Sequence, residues 1–131
     1  MNADDVKRWF EDYLEVFESV GRGEQEPGTL LDHYGVPLLI TVGGTFMVQM
    51  SADEVVGVMR RQVEEMRAAG YHSTMLLDEE VAVLNAASAL YRGTFSRRRA
   101  DGSEINAITA TYLVTDSAAG RRISAFAVHD A

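Results

Sequence analysis

The sequence predicts one α+β domain over residues 1–131, in which three N-terminal helices pack against a curved, mainly antiparallel sheet of about six strands. Two observations predict this class. Apolar residues first recur at helical spacing, and from about residue 72 onward they form four long strand-like runs separated by short turns. Helices segregated from an antiparallel meander pack on one face of the sheet. A long twisted sheet then bends around them and leaves a cone-shaped interior, the kind of concave space where ligands usually bind.

The first two helices precede any strand signal. Residues 4–20 carry apolar side chains at the i, i+3, i+4, i+7 spacing of an amphipathic helix, and Asp4 or Asp5 is the candidate cap. A short second helix is predicted from residue 29 to residue 34, because a Pro-Gly turn leads into it and Gly35 ends it.

The period then changes to that of a hairpin. Residues 36–50 read as two short strands around Gly43-Gly44, a turn that accepts positive φ at both positions. Ser51 and Glu54 have the spacing of a capping box, which opens a third helix that runs to Gly70. Its apolar face carries Val55, Met59, Val63 and Met66.

Four strands are predicted at about residues 72–84, 88–99, 103–115 and 122–130. Treating Asp101-Gly102 as a two-residue type I′ turn pairs Arg99 with Glu104, and Tyr91 with Tyr112. If a five-residue loop pairs Asp116 with Arg122, the last strand also acquires a register. The predicted inner face then carries Tyr91, Phe95, Arg97, Glu104, Asn106, Ile108, Ala110, Tyr112 and Val114, with Ser124, Phe126, Val128 and Asp130.

The opposite face of these strands is rich in threonine and alanine, which suits a flat surface that packs on a second copy of the chain. The sequence therefore predicts a homodimer formed through the sheet. The three consecutive arginines 97–99 divide between the two faces, so they do not form one basic patch. Together with a formal net charge of −8, this division argues against nucleic-acid binding.

Composition excludes several further classes. The chain has no cysteine and no run of about 18 apolar residues, so we expect no disulfide, no cysteine-ligated metal and no membrane span. Its first residues include early acids and do not resemble a signal peptide, which is consistent with a cytoplasmic location. The three histidines match no local metal motif, and no glycine-rich phosphate loop occurs. We expect no metal and no cofactor.

Four strings and the order of elements resemble the nuclear-transport-factor-2-like (NTF2-like) superfamily of cystatin-like α+β cones. The strings are YLEVFESVGRGE at 13–24, HYG at 33–35, GTFSRRRADGSEI at 93–105 and GRRISAFAV at 120–128. The resemblance covers essentially the whole chain and extends to the SnoaL-like polyketide cyclases and the ketosteroid isomerases. It implies the cone fold. It does not imply one function, because enzymes, binding modules and dimerisation domains share this scaffold.

A position-by-position comparison with the resembling enzymes finds no counterpart of their catalytic base in this sequence. Ketosteroid isomerases use a tyrosine of the first helix as an oxyanion donor, and Tyr13 matches it. Their general-base aspartate falls on Thr41 or Val42, and their neutral carboxylic acid falls on Thr111 or Tyr112. Neither pair of positions offers a carboxylate, so the resemblance implies that this isomerase chemistry is absent.

The candidate site is therefore an apolar pocket with a few polar groups. Cyclases of the resembling family rely on aspartate or histidine in the cone, and His72 is the nearest candidate here, with Tyr13 and Tyr112 as hydroxyl-bearing candidates. We predict binding of a small apolar or polyketide-like molecule without assigned catalysis. The alternatives are an enzyme of cyclase, isomerase or hydratase type, a dimerising module, and a cone simply filled by its own side chains. The predicted ligand-binding residues are Trp9, Tyr13, Tyr34, Phe46, Phe95, Asn106 and Tyr112, with Arg97 at the mouth to meet an anionic group.

Overall fold

The structure, a computed structural model that describes residues 1–130, contains three helices and one six-stranded sheet. The strand order is β2-β1-β6-β5-β4-β3, with β1 parallel to β6 and every other neighbouring pair antiparallel. The predicted α+β class is confirmed. The elements are helix α1 (Ala3–Gly21), a 3-10 helix (Pro27–Asp32), strands β1 (Tyr34–Val42) and β2 (Thr45–Gln49), helix α2 (Ala52–Ala68), and strands β3 (Tyr71–Asn85), β4 (Ser88–Arg99), β5 (Glu104–Ser117) and β6 (Gly120–Val128).

Helix α1 starts earlier than predicted. Its cap is Asn2, whose side chain accepts a hydrogen bond from the Asp5 N–H at 2.9 Å, so the predicted caps Asp4 and Asp5 lie in the first helical turn. Their carboxylates still favour that turn, because a helix N-terminus carries partial positive charge. The 3-10 helix ends at Asp32, before the predicted end at residue 34. Tyr34 belongs to strand β1 instead, where it is the register partner of Ile123 in β6.

The hairpin and the third helix form as predicted. Val42 pairs with Thr45 around the glycine turn, although only Gly43 has positive φ, at 57°. The Glu54 N–H donates to the Ser51 Oγ at 3.2 Å, which closes the capping box of α2. The four apolar residues predicted for the inner face of α2 are all buried.

The turn between β4 and β5 has three residues, not two. The Gly102 N–H donates to the Arg99 carbonyl and the Arg99 N–H donates to the Ser103 carbonyl, both at 2.9 Å. With Gly102 at a φ of 87°, this is a type I turn followed by a left-handed glycine, a common three-residue hairpin connection. The predicted pairing of Arg99 with Glu104 is therefore wrong.

A bulge in β5 cancels this error. Arg98 pairs with Glu104 and Arg97 with Asn106, which leaves Ile105 as one extra residue in β5. The extra turn residue shifts the register by one and the bulge shifts it back, so every predicted pair from Arg97 to Tyr91 is correct. Glu104 is displaced by the same shift: it faces outward, where it accepts a hydrogen bond from Ser96 and lies 3.9 Å from Arg98.

Strand β6 shows the same compensation. Asp116 pairs with Arg121 instead of Arg122, and the two side chains form a bidentate ion pair at 2.8 and 3.0 Å. Between Val114 and Leu113 the register shifts by one, so Phe126 and Val128 face inward as predicted. Ser124 does not: it faces outward to bond Thr115, and Ile123 is the buried residue there.

The helices cover one face of the sheet, and the main core lies between them and the inner side chains of the strands. Within residues 1–130, no element packs on the outer face. None of the described helices is long and apolar enough to span a bilayer.

Candidate functional site

A narrow cavity lies inside the cone, between the two α-helices and the inner faces of β1, β3, β4, β5 and β6. Its volume is about 30 Å³, which accommodates about two water molecules. Most of its wall is apolar, and its polar groups are three tyrosine hydroxyls, one guanidinium, one amide and one threonine hydroxyl. The lining residues are Tyr13, Leu14, Phe17, Tyr34, Gln62, Thr74, Phe95, Arg97, Ile108, Ala110, Tyr112, Phe126 and Val128.

Three tyrosine hydroxyls face this space, and they differ in their hydrogen bonding. Tyr13 and Tyr34 hydrogen-bond to each other through a short hydroxyl contact. Tyr112 makes no hydrogen bond to any residue from 1 to 130, so its hydroxyl is available to the contents of the cavity. Burial raises the pKa of Tyr112 to about 12 and also raises the pKa of Tyr13 and of Tyr34, which keeps all three hydroxyls protonated at neutral pH.

Arg97 stands at the mouth of the cavity. Its side chain is half-buried, and its guanidinium carbon lies 5.9 Å from the centre of the Phe17 ring. Its charge acts against burial by lowering the pKa of Tyr112. Beyond Arg97 and Gln62, which line both spaces, an open depression of about 170 Å³ leads to solvent. Its other lining residues are Glu65, Met66, Ala69, Ile105 and Asn106.

The structure brings five of the predicted ligand-binding residues together around the cavity, and all five are inner-face residues of α1 or the sheet. They are Tyr13, Tyr34, Phe95, Arg97 and Tyr112. Asn106 is exposed and lines the outer depression beside Arg97, so it belongs to the mouth and not to the cone.

The other three candidates lie elsewhere. Phe46 pairs with Thr41 on the outer face of the sheet and is 65% exposed. Trp9 packs on Phe10 and on His33, at ring-centre distances of 6.5 and 5.1 Å, and does not reach the cavity. His72 is exposed on β3, where its carbonyl accepts a hydrogen bond from Arg22. These three residues therefore lie outside the cavity, contrary to the prediction.

Several lining residues were not predicted as site residues. Leu14 and Phe17 belong to the helical stripe of α1, and Phe126 and Val128 belong to the predicted inner face, so their direction was available from periodicity alone. Gln62 had no such signal, because it follows two exposed arginines on α2 and reaches the mouth only through the packing of that helix on the sheet.

The site lacks a group that takes a proton at neutral pH. None of the described lining residues is a carboxylate or an imidazole, and the tyrosine pKa shifts are upward. Tyr13 occupies the cavity as the resemblance implies. Thr41 and Val42 are exposed, and Thr111 faces outward, so those positions offer no substitute base. Residues 1–130 also contain no cluster of three or more potential metal ligands.

A curved sheet with helices on one face and a narrow tyrosine-lined interior defines a cystatin-like α+β cone. The sequence profile described as NTF2-like protein (DUF6841) matches residues 4–131, and the chain belongs to this family. The resemblance to the NTF2-like superfamily is thereby confirmed.

Solved structures agree on the fold. An NTF2-like protein of unknown function from Shewanella oneidensis MR-1 superposes with a TM-score of 0.74 at 17% identity, over 99% of this chain and 100% of that chain. A putative calcium/calmodulin dependent protein kinase II association domain from Xanthomonas campestris gives 0.67 at 14% identity, over 98% and 86%. Aln2 from a Streptomyces species gives 0.69 at 11% identity, over 95% and 86%. No curated protein sequence matches the chain.

Proposed function

We propose that this NTF2-like chain is a binding module that takes one small molecule in the cone without catalysing a reaction on it. The observation that carries the proposal is the Tyr112 hydroxyl: it belongs to a residue that is 7% exposed, lines the cavity and forms no hydrogen bond within residues 1–130. A molecule in the cavity can therefore hydrogen-bond to it without breaking a bond inside the protein.

The absence of a base in the described lining favours binding over the enzyme alternative. Reactions of the cyclase and isomerase kind begin with removal of a proton, which needs an acceptor within hydrogen-bond reach of the substrate. The tyrosines of this cavity are donors at neutral pH, and Arg97 has no lone pair to offer. Such a site holds and orients a molecule but has no group to deprotonate it.

The size of the cavity favours a smaller ligand than the sequence alone suggests. Sites for drug-sized molecules occupy roughly 300–1,000 Å³, whereas the cone and its outer depression offer about 30 and 170 Å³. The two spaces meet at Arg97 and Gln62. We therefore propose a molecule with one ring or a short chain that spans the cavity and the depression, since the cavity alone is too small for a ring, and not a polyketide. A cytoplasmic location is part of the same proposal, because a chain without cysteine gains no stability from an oxidising compartment.

A fragment-binding experiment tests this proposal. Benzamide and benzoate are titrated into the protein while its thermal midpoint is recorded, and we expect at least one of them to raise the midpoint by mass action. Ala110→Val, which fills the cavity from β5, should remove the rise. Ala107→Val is the matched control, because Ala107 lies on the outer face of the same strand opposite Ser96. A wild-type midpoint that neither compound changes would overturn the proposal.

The outer face of the sheet supports a second proposal, a homodimer. Leu39, Phe46 and Val48 project from the β1–β2 hairpin, and each is more than a third exposed. Next to Phe46 lies a hollow of about 290 Å³ whose floor includes Ala125 and Ala127. A projecting ring beside a shallow apolar hollow is self-complementary under a two-fold axis, where each copy inserts its ring into the other. The Xanthomonas campestris relative, described as an association domain, agrees with this proposal.

Light scattering after size exclusion tests the dimer. We expect the wild type to elute as a dimer at micromolar concentration and Phe46→Asp to elute as a monomer, because a carboxylate cannot enter an apolar hollow without losing its hydration. Met50→Asp is the control, since Met50 is equally exposed at 65% and lies outside the hollow. A monomeric wild type would refute the proposal.

A further inference from the structure

The mouth of the cone holds a cation that contacts the Phe17 ring but has no anionic or hydrogen-bonding partner among residues 1–130. Arg97 forms no ion pair and no hydrogen bond with any of residues 1–130, although its side chain is half-buried. The other half-buried arginines all donate hydrogen bonds within the described chain; they are Arg98, Arg99, Arg121 and Arg122. Removing a guanidinium from water without a compensating anion is costly. In a chain with net charge −8, this cation is therefore a feature that requires an explanation.

The position of Arg97 shows what kind of partner would reach it. Arg97 and Gln62 line both the cone cavity and the outer depression, so the guanidinium stands at the boundary between an apolar space and solvent. A molecule that enters the cone from the depression places its inner part among Phe17, Ile108 and Phe126. Its outer part then lies beside Arg97.

We propose that the ligand is a small amphipathic carboxylate that spans the depression and the cavity, whose carboxylate pairs with Arg97 and whose apolar part reaches from the depression toward the cavity. This inference rests on the proposed binding function and names its ligand class. The planar guanidinium matches a carboxylate with two parallel hydrogen bonds. The Gln62 and Asn106 amides in the same depression add donors, and the exposed Glu65 carboxylate at its rim opposes the anion.

Comparing a charged ligand with its neutral isostere tests the inference. Benzoate and benzamide are titrated at low ionic strength against the wild type, Arg97→Gln and Arg92→Gln. We expect benzoate to bind the wild type at least about tenfold more tightly than benzamide, in keeping with hydrogen bonds to a charged group. Arg97→Gln should bring the two affinities together. Arg92→Gln, an exposed outer-face arginine of the same strand, should keep the wild-type preference.

Two further variants test whether the preference for benzoate depends on charge at the rim and on the planar shape of the guanidinium. Glu65→Gln should strengthen benzoate binding and leave benzamide unchanged, because it removes the repelling charge at the rim. Arg97→Lys should give an intermediate preference, since lysine keeps the charge and loses the bidentate fork. The ligand-free Arg97→Gln protein should melt close to the wild type, because it loses the contact with the Phe17 ring but also removes a half-buried cation without an anionic partner.

The outcomes separate the two proposals. If benzamide binds as tightly as benzoate and Arg97→Gln changes neither affinity, the carboxylate inference is overturned and the binding function stands. If neither compound binds the wild type, the binding function and the inference fall together. If benzoate binding survives in Ala110→Val, the anion binds outside the cone, which also overturns the inference.

Discussion

Replacing Phe10 by alanine is expected to destabilise the protein by about 3–5 kcal/mol, a large part of the 5–15 kcal/mol that typically holds a domain together. Phe10 is completely buried, and its ring stacks on Tyr91 with centres 3.7 Å apart and an angle of 10° between planes. The Tyr13 and Tyr112 rings pack against it edge-to-face, with ring centres 5.0 and 4.9 Å from the centre of the Phe10 ring. Removing the ring deprives three aromatic neighbours of contacts that no other side chain can replace.

Chemical denaturation followed by circular dichroism measures this effect. Leu77→Ala is the control, because Leu77 is a large apolar residue that is 52% exposed, and its truncation should change the free energy of unfolding by no more than about 0.5 kcal/mol. A loss below about 1 kcal/mol for Phe10→Ala would contradict the central position of this ring.

Alkaline pH is expected to unfold the protein between about pH 11 and 13. A tyrosine is neutral when protonated, and its pKa in the unfolded chain is about 10. Burial raises the pKa of Tyr112 to about 12, and it also raises the pKa of Tyr13 and of Tyr34. The stability that these groups contribute is therefore complete below pH 10 and is lost as the pH rises toward their folded-state pKa values.

The slope follows from the number of groups. Each tyrosine contributes a loss of about 1.4 kcal/mol per pH unit between its unfolded and folded pKa, so the three cavity tyrosines lose about 4 kcal/mol per unit at first. Burial also raises the pKa of Tyr71 and of Tyr91, which makes the transition steeper. Tyrosinate absorbance and far-ultraviolet circular dichroism should change together in one cooperative transition. Tyr112→Phe should move that transition to higher pH. Tyrosinate absorbance that rises near pH 10 in a chain with native circular dichroism would contradict the burial of these hydroxyls.

Much of the sheet was predictable because strand patterns are local. The alternation from Phe95 to Tyr91 in β4 and from Ile108 to Tyr112 in β5 assigns those residues to one face without knowledge of the rest of the chain. That assignment is correct although the predicted turn type was wrong, because Ile105 forms a bulge that restores the register. The alternation alone does not reveal this compensation, because the extra residue Ile105 lies beside the turn and is flanked by the polar residues Glu104 and Asn106.

Other features depended on contacts between distant segments. Phe46 is an apolar strand residue that suits a cone as well as an outer face, and only the pairing of β2 with β1 places it outside. His33 follows a helix and suits an exposed position. It is buried against the Trp9 and Tyr13 rings, and burial lowers its pKa. Neither outcome is encoded in the spacing around the residue.

The sequence by itself determined the α+β class, the breaks between strands, the capping box of α2 and the inward direction of Tyr13 and Tyr112. Each of these depends on periodicity or turn chemistry within a few residues. Only the tertiary structure decided that the cone is narrow and that Arg97 and Gln62 share its mouth. A cavity is what remains of the space enclosed by α1, α2 and five strands after their side chains have filled it. Its volume therefore depends on all of these elements, and no single segment of the chain determines it.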